Sequence, residues 1–150
     1  MFEEDIQQLR LDQQLCFAIY STMHAVNKAY APMLERIGLT YPQYLAMLVL
    51  WETEGLMVKE IGDRLYLDSG TLTPLLKRLE ALGLVHRIRD GKDQRQVRIV
   101  LTEQGRALRQ DCKSIPFELA SSMGLSIENL TGLKEDLLRL RQTLLEGRQK

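Results

Sequence analysis

A mainly α-helical fold carrying a small β-hairpin is what this chain predicts, and three observations within residues 58–102 carry that prediction. Val58, Ile61 and Leu65 are spaced as one face of a short helix, and Leu72, Leu75, Leu76, Leu79 and Leu82 as one face of a second. Tyr66-Leu67-Asp68-Ser69-Gly70 separates the two. It offers a turn and, in Asp68 or Ser69, a side-chain oxygen to cap the orphan amides of the next helix. Residues 85–89 and 97–101 alternate around Asp90-Gly91 as the arms of a hairpin, and Gly83 sits where the preceding helix should stop. Helix, turn, helix and basic hairpin together outline a winged helix-turn-helix.

The flanking elements follow from the same periodicities. Residues 9–31 predict a long helix in which Leu9, Cys16, Met23 and Tyr30 recur every seven residues, with Asp12, Ile19 and Val26 as a companion row. Pro32 and Gly38 should bound a short link. Thr40 then caps a helix running to about Thr53, with Pro42 in the first turn, where its missing N–H does no harm. That helix is apolar nearly all round and should be central. Beyond the hairpin, Thr102 caps a helix to about Cys112, Pro116 must kink or restart it, and Ser126 opens a last helix rich in leucine.

The terminal helices carry more apolar surface than a small winged module needs. Either they fold back on their own core or they pack against a second copy. The seven-residue seam and the two-fold symmetry usual for such modules favour a homodimer. The expected organisation is a single domain over residues 1–150. Residues 1–40 and 103–150 supply dimerisation helices, and 41–102 the winged module.

Composition narrows the function class. At 45% hydrophobic and 27% charged residues the chain reads as a globular protein of single-domain size. The start Met1-Phe2-Glu3-Glu4-Asp5 is acidic where a secretory signal is basic, and the longest apolar run, residues 45–51, is too short to span a bilayer. A cytoplasmic protein without membrane partners is expected. Cys16, Cys112, His24 and His86 are too scattered for a metal site, and no cofactor motif is present. The net charge is zero, yet residues 77–98 hold seven basic residues against three acids, and they coincide with the second helix and the hairpin.

A winged helix-turn-helix reads double-stranded DNA by laying its second helix in the major groove, N-terminal residues toward the base edges. Those residues are Asp68, Ser69, Gly70, Thr71 and Thr73, with Lys77 and Arg78 further along. Hydroxyls can donate or accept at base edges and phosphates, and Gly70 lets the backbone approach a phosphate. Pro74 crowds the carbonyl of Gly70, the residue best able to relax. On the hairpin, Arg87, Lys92 and Arg95 are basic, and the tip suits an adjacent minor groove. Asp93 is placed to hold the Arg95 guanidinium in an ion pair.

Thr40-Tyr41-Pro42-Gln43-Tyr44-Leu45, the string from Leu65 through Tyr66-Leu67-Asp68-Ser69-Gly70-Thr71-Leu72-Thr73 to Pro74, Leu79-Glu80 through Gly83-Leu84, and the Asp93/Arg95 wing resemble the MarR family of bacterial repressors. The similarity is greatest to its organic-hydroperoxide-sensing, OhrR-type branch and covers residues 15 to about 145. The resemblance implies a homodimeric repressor that leaves a pseudo-palindromic operator when organic hydroperoxide oxidises a cysteine near the N-terminus. Cys16 stands at that sensing position. The resemblance assigns Tyr30 and Tyr41, from the other subunit, as hydrogen-bond partners of the sulfur. Hydroxyl donors stabilise a thiolate, the reactive form of a thiol that is only a few per cent ionised at neutral pH. Taken alone, a cysteine on an apolar helix face is more often an inert core residue; the resemblance reverses that reading.

Oxidation gives a sulfenic acid that condenses with a second thiol. Cys112 is the candidate resolving thiol, although it precedes the family's usual resolving position, where residues 118–122 stand. Otherwise a small cellular thiol caps Cys16. Two other readings compete. In one, the repressor is released by a small aromatic ligand and Cys16 is structural. In the other, the chain is a thiol peroxidase. No catalytic base lies near either cysteine in sequence, so no enzyme is expected.

Overall fold

The computed structural model describes residues 6–93 and 95–148; the acidic start and Gln94 of the hairpin tip lie outside the described residues. The chain divides into two compact units, Met1–Ser114 and Ile115–Lys150.

In the first unit a short 3-10 turn, Leu11–Gln13, precedes helix α1, Leu15–Ile37. The helix expected over residues 9–31 therefore starts and ends later. Leu9 and Asp12 fall before it, leaving Cys16, Met23 and Tyr30 as the helical part of the seven-residue row. Pro32 lies inside α1 instead of ending it, and the break comes at Gly38, whose φ of 71° is left-handed. The proline removes one rung of the ladder, but Pro32 and Lys28, four residues back, are both exposed, so solvent can serve the freed carbonyl. Met33 and Leu34, buried immediately after it, hold the last turns against the core.

Helix α2, Tyr41–Glu52, opens with a complete capping box. Gln43 N–H donates to Thr40 Oγ1 at 3.4 Å, and Thr40 N–H to Gln43 Oε1 at 2.9 Å. As expected it is central, burying Tyr44, Ala46, Met47, Val49 and Leu50. Strand β1, Leu56–Met57, then pairs antiparallel with β3, placing Leu56 opposite Ile99. Two residues are too few to show alternation, so no strand was expected there.

Helix α3, Val58–Leu65, ends at Tyr66, left-handed at φ 58°, and α4, Ser69–Ala81, follows across the turn. Gly62 makes that turn possible, since a Cβ there would lie 2.7 Å from the Leu67 carbonyl oxygen. Leu72, Leu75, Leu76 and Leu79 are buried. Leu82, expected on the same face, is instead 46% exposed, because it is the C-cap and Gly83 (φ 76°) turns the chain away. Strands β2, Val85–Arg89, and β3, Val97–Leu101, pair antiparallel as the expected hairpin, with Val85 opposite Leu101. Their connection spans residues 90–96 and is not a tight Asp90-Gly91 turn: Asp90 N–H donates to Gln96 O at 2.8 Å. Helix α5, Glu103–Asp111, starts at Thr102, whose Oγ1 accepts from Gly105 N–H at 2.9 Å and donates to Gly83 O at 2.6 Å.

The core of this unit gathers Met47, Leu50, Ile61, Leu72, Leu76, Leu79, Val85 and Ile99, each under 2% exposed. Trp51 Nε1 donates to Gly105 O at 2.9 Å and joins α2 to α5.

In the second unit, α6, Ile115–Ser122, carries Pro116 in its first turn, so the proline restarts the helix. Helix α7, Ile127–Gly147, is capped by Ser126 Oγ accepting from Asn129 N–H at 3.1 Å. It buries no residue, and Leu133, Leu137, Leu138, Leu144 and Leu145 are exposed along it.

Candidate nucleic-acid interface and redox site

The N-terminus of α4 is built by Asp68, whose Oδ1 accepts from Thr71 N–H at 2.7 Å. That bond, the Thr71 side chain and Gly70 N–H hold the Asp68 carboxyl below its usual range. Asp68 thus points back at its own helix. It orders the first turn of α4. Ser69, Gly70 and Thr71 are exposed in that turn, Thr73 is half-buried, and Lys77 and Arg78 are exposed on the following turns. Hydroxyls, a helix N-terminus and two cations therefore share one exposed surface, the arrangement that accepts a phosphate backbone and base edges.

On the wing, Lys92 and Arg95 are exposed and Arg87 is half-buried. The expected ion pair between Asp93 and the Arg95 guanidinium does not form among the described residues. Asp93 Oδ1 accepts instead from the Arg95 backbone N–H at 3.0 Å, a local turn that leaves the guanidinium free. Arg98 has a different task. Its Nη1 donates to Gly55 O at 3.0 Å and its Nη2 lies 3.6 Å from Asp90, so it ties the wing to the loop before β1. Lys92 and Arg95 of the wing are thus exposed, while Arg98 holds the wing.

Cys16 is exposed in the first turn of α1. The helical ladder begins with Ala18 N–H to Gln14 O, and Gln14 supplies no side-chain cap. The amides of Leu15, Cys16 and Phe17 thus precede the ladder, at the end of the helix dipole that favours an anion. A start at residue 9 would have hidden this. Around Cys16 the helix also exposes Leu15, Phe17, Ile19, Tyr20 and Met23.

Tyr30 and Tyr41 do come together, with ring centroids 4.7 Å apart, because the short link at residues 38–40 folds α2 back beside the end of α1. Tyr44 completes the group, 5.9 Å from Tyr30 and 6.5 Å from Tyr41. Sequence reading overlooked Tyr44, although its spacing of three from Tyr41 places both on one helical face. The Tyr30 hydroxyl donates to that of Tyr41. Burial first, then the neighbouring phenols, pushes Tyr30 from 10.0 up to about 12. Burial likewise raises Tyr41 and Tyr44, so all three are neutral O–H donors at physiological pH.

Cys16 does not join this group within one protomer. The rise of about 1.5 Å per residue separates it from Tyr30 by about 21 Å along α1. Cys112, the C-cap of α5, is 5% exposed; burial and then Asp111 push its thiol up. It is close enough to Tyr44 to raise that phenol in turn. Among the described residues no cluster of three or more His, Cys, Asp or Glu could hold a metal ion, and no helix is long and apolar enough to cross a membrane.

The transcriptional regulator SarA/Rot family matches residues 28–112. The HTH-type transcriptional regulator TtmR of Methylorubrum extorquens (strain PA1) is 53% identical over 134 residues, 89% of this chain and 69% of its own. The organic hydroperoxide resistance transcriptional regulator of Bacillus subtilis (strain 168) is 46% identical over 142 residues, 95% of this chain and 97% of its own. Both relatives carry the names of regulators and not of enzymes. Among solved structures, reduced AbfR bound to DNA is similar with a TM-score of 0.75 and 38% identity, covering 94% of this chain and 99% of that one. Disulfide-formed AbfR is similar with a TM-score of 0.61 and 37% identity over the whole of both chains. By fold, by matched length and by the identity of these relatives, the chain belongs to the MarR family of DNA-binding winged-helix transcriptional regulators, in its SarA/Rot-type group and as a homologue of the Bacillus hydroperoxide regulator.

Proposed function

We propose that the chain is a redox-switched cytoplasmic repressor. It binds a pseudo-palindromic operator as a homodimer and leaves it when an organic hydroperoxide oxidises Cys16. The observation that carries this reading is the separation of two halves of one site. An exposed thiol sits at the start of α1 amid exposed apolar side chains, and a cluster of neutral phenols lies about 21 Å further along. A second copy, packed through the exposed faces of α1 and α7, brings the thiol of one protomer to the phenols of the other. DNA is contacted by α4 from Ser69 to Arg78, with Asp68 ordering its first turn, and by Arg87, Lys92 and Arg95 of the wing.

In the chemistry the Cys16 thiolate attacks the terminal peroxide oxygen. The O–O bond breaks, a sulfenic acid forms, and the alkoxide leaves as the alcohol after taking a proton. Tyr41, polarised by the bond it accepts from Tyr30, is the donor best placed to hold the thiolate beforehand. The sulfenic acid then condenses with a thiol, giving a disulfide and water. The burial of Cys112 supports a small cellular thiol as that partner, with Cys112 competing only if α5 opens at its C-terminus. Added bulk at Cys16 pushes the paired helices apart and puts the two α4 helices out of register with the operator. A hundredfold loss of affinity requires only about 2.7 kcal/mol of misfit.

Titrating operator binding with an organic hydroperoxide tests this, using wild type, Cys16→Ser and Cys112→Ser, with intact mass read under non-reducing conditions. Wild type and Cys112→Ser should release DNA and gain one oxygen or one small thiol, while Cys16→Ser stays bound. Unchanged binding by oxidised wild type, or a stable monomer, overturns the reading.

A further inference from the structure

We propose that Glu80 is a positioning residue for DNA binding: it holds the wing at a fixed angle to the reading helix, so that Arg95 meets the operator. This rests on the wing contact proposed above and names what aligns it. Glu80 stands in the last turn of α4, three residues after Lys77 and seven after Thr73, so the helical repeat puts it on the row assigned to DNA. It is exposed there. A carboxylate in that row opposes phosphate, and on charge alone it weakens binding. The side chain is instead committed to the wing, where Glu80 Oε2 accepts from the Arg87 backbone N–H at 3.1 Å.

The sheet explains why that N–H is available. Strand order is β1-β3-β2, which leaves β2 with an outer edge. Arg87 stands opposite Ile99, and the Ile99 carbonyl accepts from Gly55 N–H at 3.0 Å, on the β1 side of β3. Arg87 and Ile99 therefore pair without ladder bonds between them, and the Arg87 N–H points out of the edge toward α4. Water can serve a half-exposed N–H as well, so the bond adds little stability. What it sets is geometry. Arg98 braces the far side of the wing through Gly55 O, and Glu80 braces this side. A rise of about 3.3 Å per residue puts the tip about 10 Å beyond Arg87, so a tilt of about 10° there moves the tip by about 2 Å. That displacement is enough to break a hydrogen bond from the tip to DNA.

The test measures affinity of the reduced full-length protein for a duplex that wild type selects from random-sequence DNA, at fixed salt. The proteins are wild type, Glu80→Gln, Glu80→Ala, Arg95→Ala and the variant carrying both alanines, with thermal melts verifying folding. Glu80→Ala should bind about fivefold more weakly although it loses a negative charge. Glu80→Gln keeps an acceptor for the Arg87 N–H and should bind at least as tightly as wild type. The double variant should bind within about twofold of Arg95→Ala alone, because a misaligned wing has already forfeited that contact. Glu80→Ala binding as tightly as wild type, Glu80→Gln as weak as Glu80→Ala, or losses that multiply in the double variant overturns the assignment. If Arg95→Ala alone binds like wild type, the wing contact itself fails and the positioning role falls with it. That outcome is distinct from a wing that binds without depending on Glu80.

Discussion

The Tyr30 ring lies 4.7 Å from that of Tyr41, and its hydroxyl donates to the Tyr41 hydroxyl. The two phenols therefore act in series. On the redox function proposed above, Tyr41→Phe removes the donor to the thiolate and should lower the rate of Cys16 oxidation by about tenfold, whereas Tyr30→Phe removes only the polarising bond and should lower it by about two- to threefold. Stopped-flow oxidation of the reduced protein distinguishes them. Equal losses would mean that both hydroxyls reach the sulfur directly.

The same phenols make a prediction at alkaline pH. Tyr30 ionises at about 12 in the folded chain, against 10.0 ordinarily. The folded value is the higher one, so the stability contributed by the protonated phenol is complete below pH 10 and is lost as pH rises toward 12. Tyr30→Phe should flatten the fall in melting temperature across that window.

Gly105 admits no side chain. A Cβ there would lie 2.1 Å from the Leu84 carbonyl oxygen, and the Gly105 carbonyl accepts the Trp51 indole at 2.9 Å. Gly105→Ala should cost about 3 kcal/mol by pushing α5 off the chain before β2. Trp51→Phe should cost about 1 kcal/mol by leaving that carbonyl without its donor. Urea unfolding monitored by circular dichroism reads both.

Arg95 and Arg98 should separate binding from stability. The Arg95 guanidinium has no partner among the described residues, so Arg95→Ala should weaken operator binding and reduce the salt slope by about one ion without altering the melting temperature. Arg98 is bound to Gly55 O and faces Asp90, so Arg98→Ala should loosen the wing and lower the melting temperature. Binding measured across a salt series, beside thermal melts, checks the pair.

Asp68 caps α4 as a carboxylate whose folded pKa is lowered. Its contribution is present above the ordinary carboxylate range and is lost as pH falls through the lowered folded value. Asp68→Ala should therefore melt earlier than wild type at neutral pH, with the gap closing on acidification. A gap independent of pH would show that the carboxylate charge has no part in the cap.

Much of this was legible from spacing. The leucine row of α4, the alternation of β2 and β3, and the caps at Thr40, Asp68, Thr102 and Ser126 are local patterns, and local hydrogen bonding enforces them. The residues proposed to face DNA were named from where α4 begins, and Ser69, Gly70, Thr71, Lys77 and Arg78 are exposed there. The Asp93 side chain was misassigned, since a nearby backbone N–H competes with a guanidinium two residues away.

Sequence spacing determined the helices, the two wing strands and the reading helix, and the family resemblance singled out Cys16, Tyr30 and Tyr41 as a candidate site. Only tertiary structure decided that α1 passes through Pro32, that Cys16 stands in its first turn, that Tyr44 joins the phenols and that Arg98 braces the wing. The physical reason is range. Periodicity and capping are set by neighbours within one helical turn, whereas these four outcomes depend on packing and hydrogen bonds between segments distant in the chain.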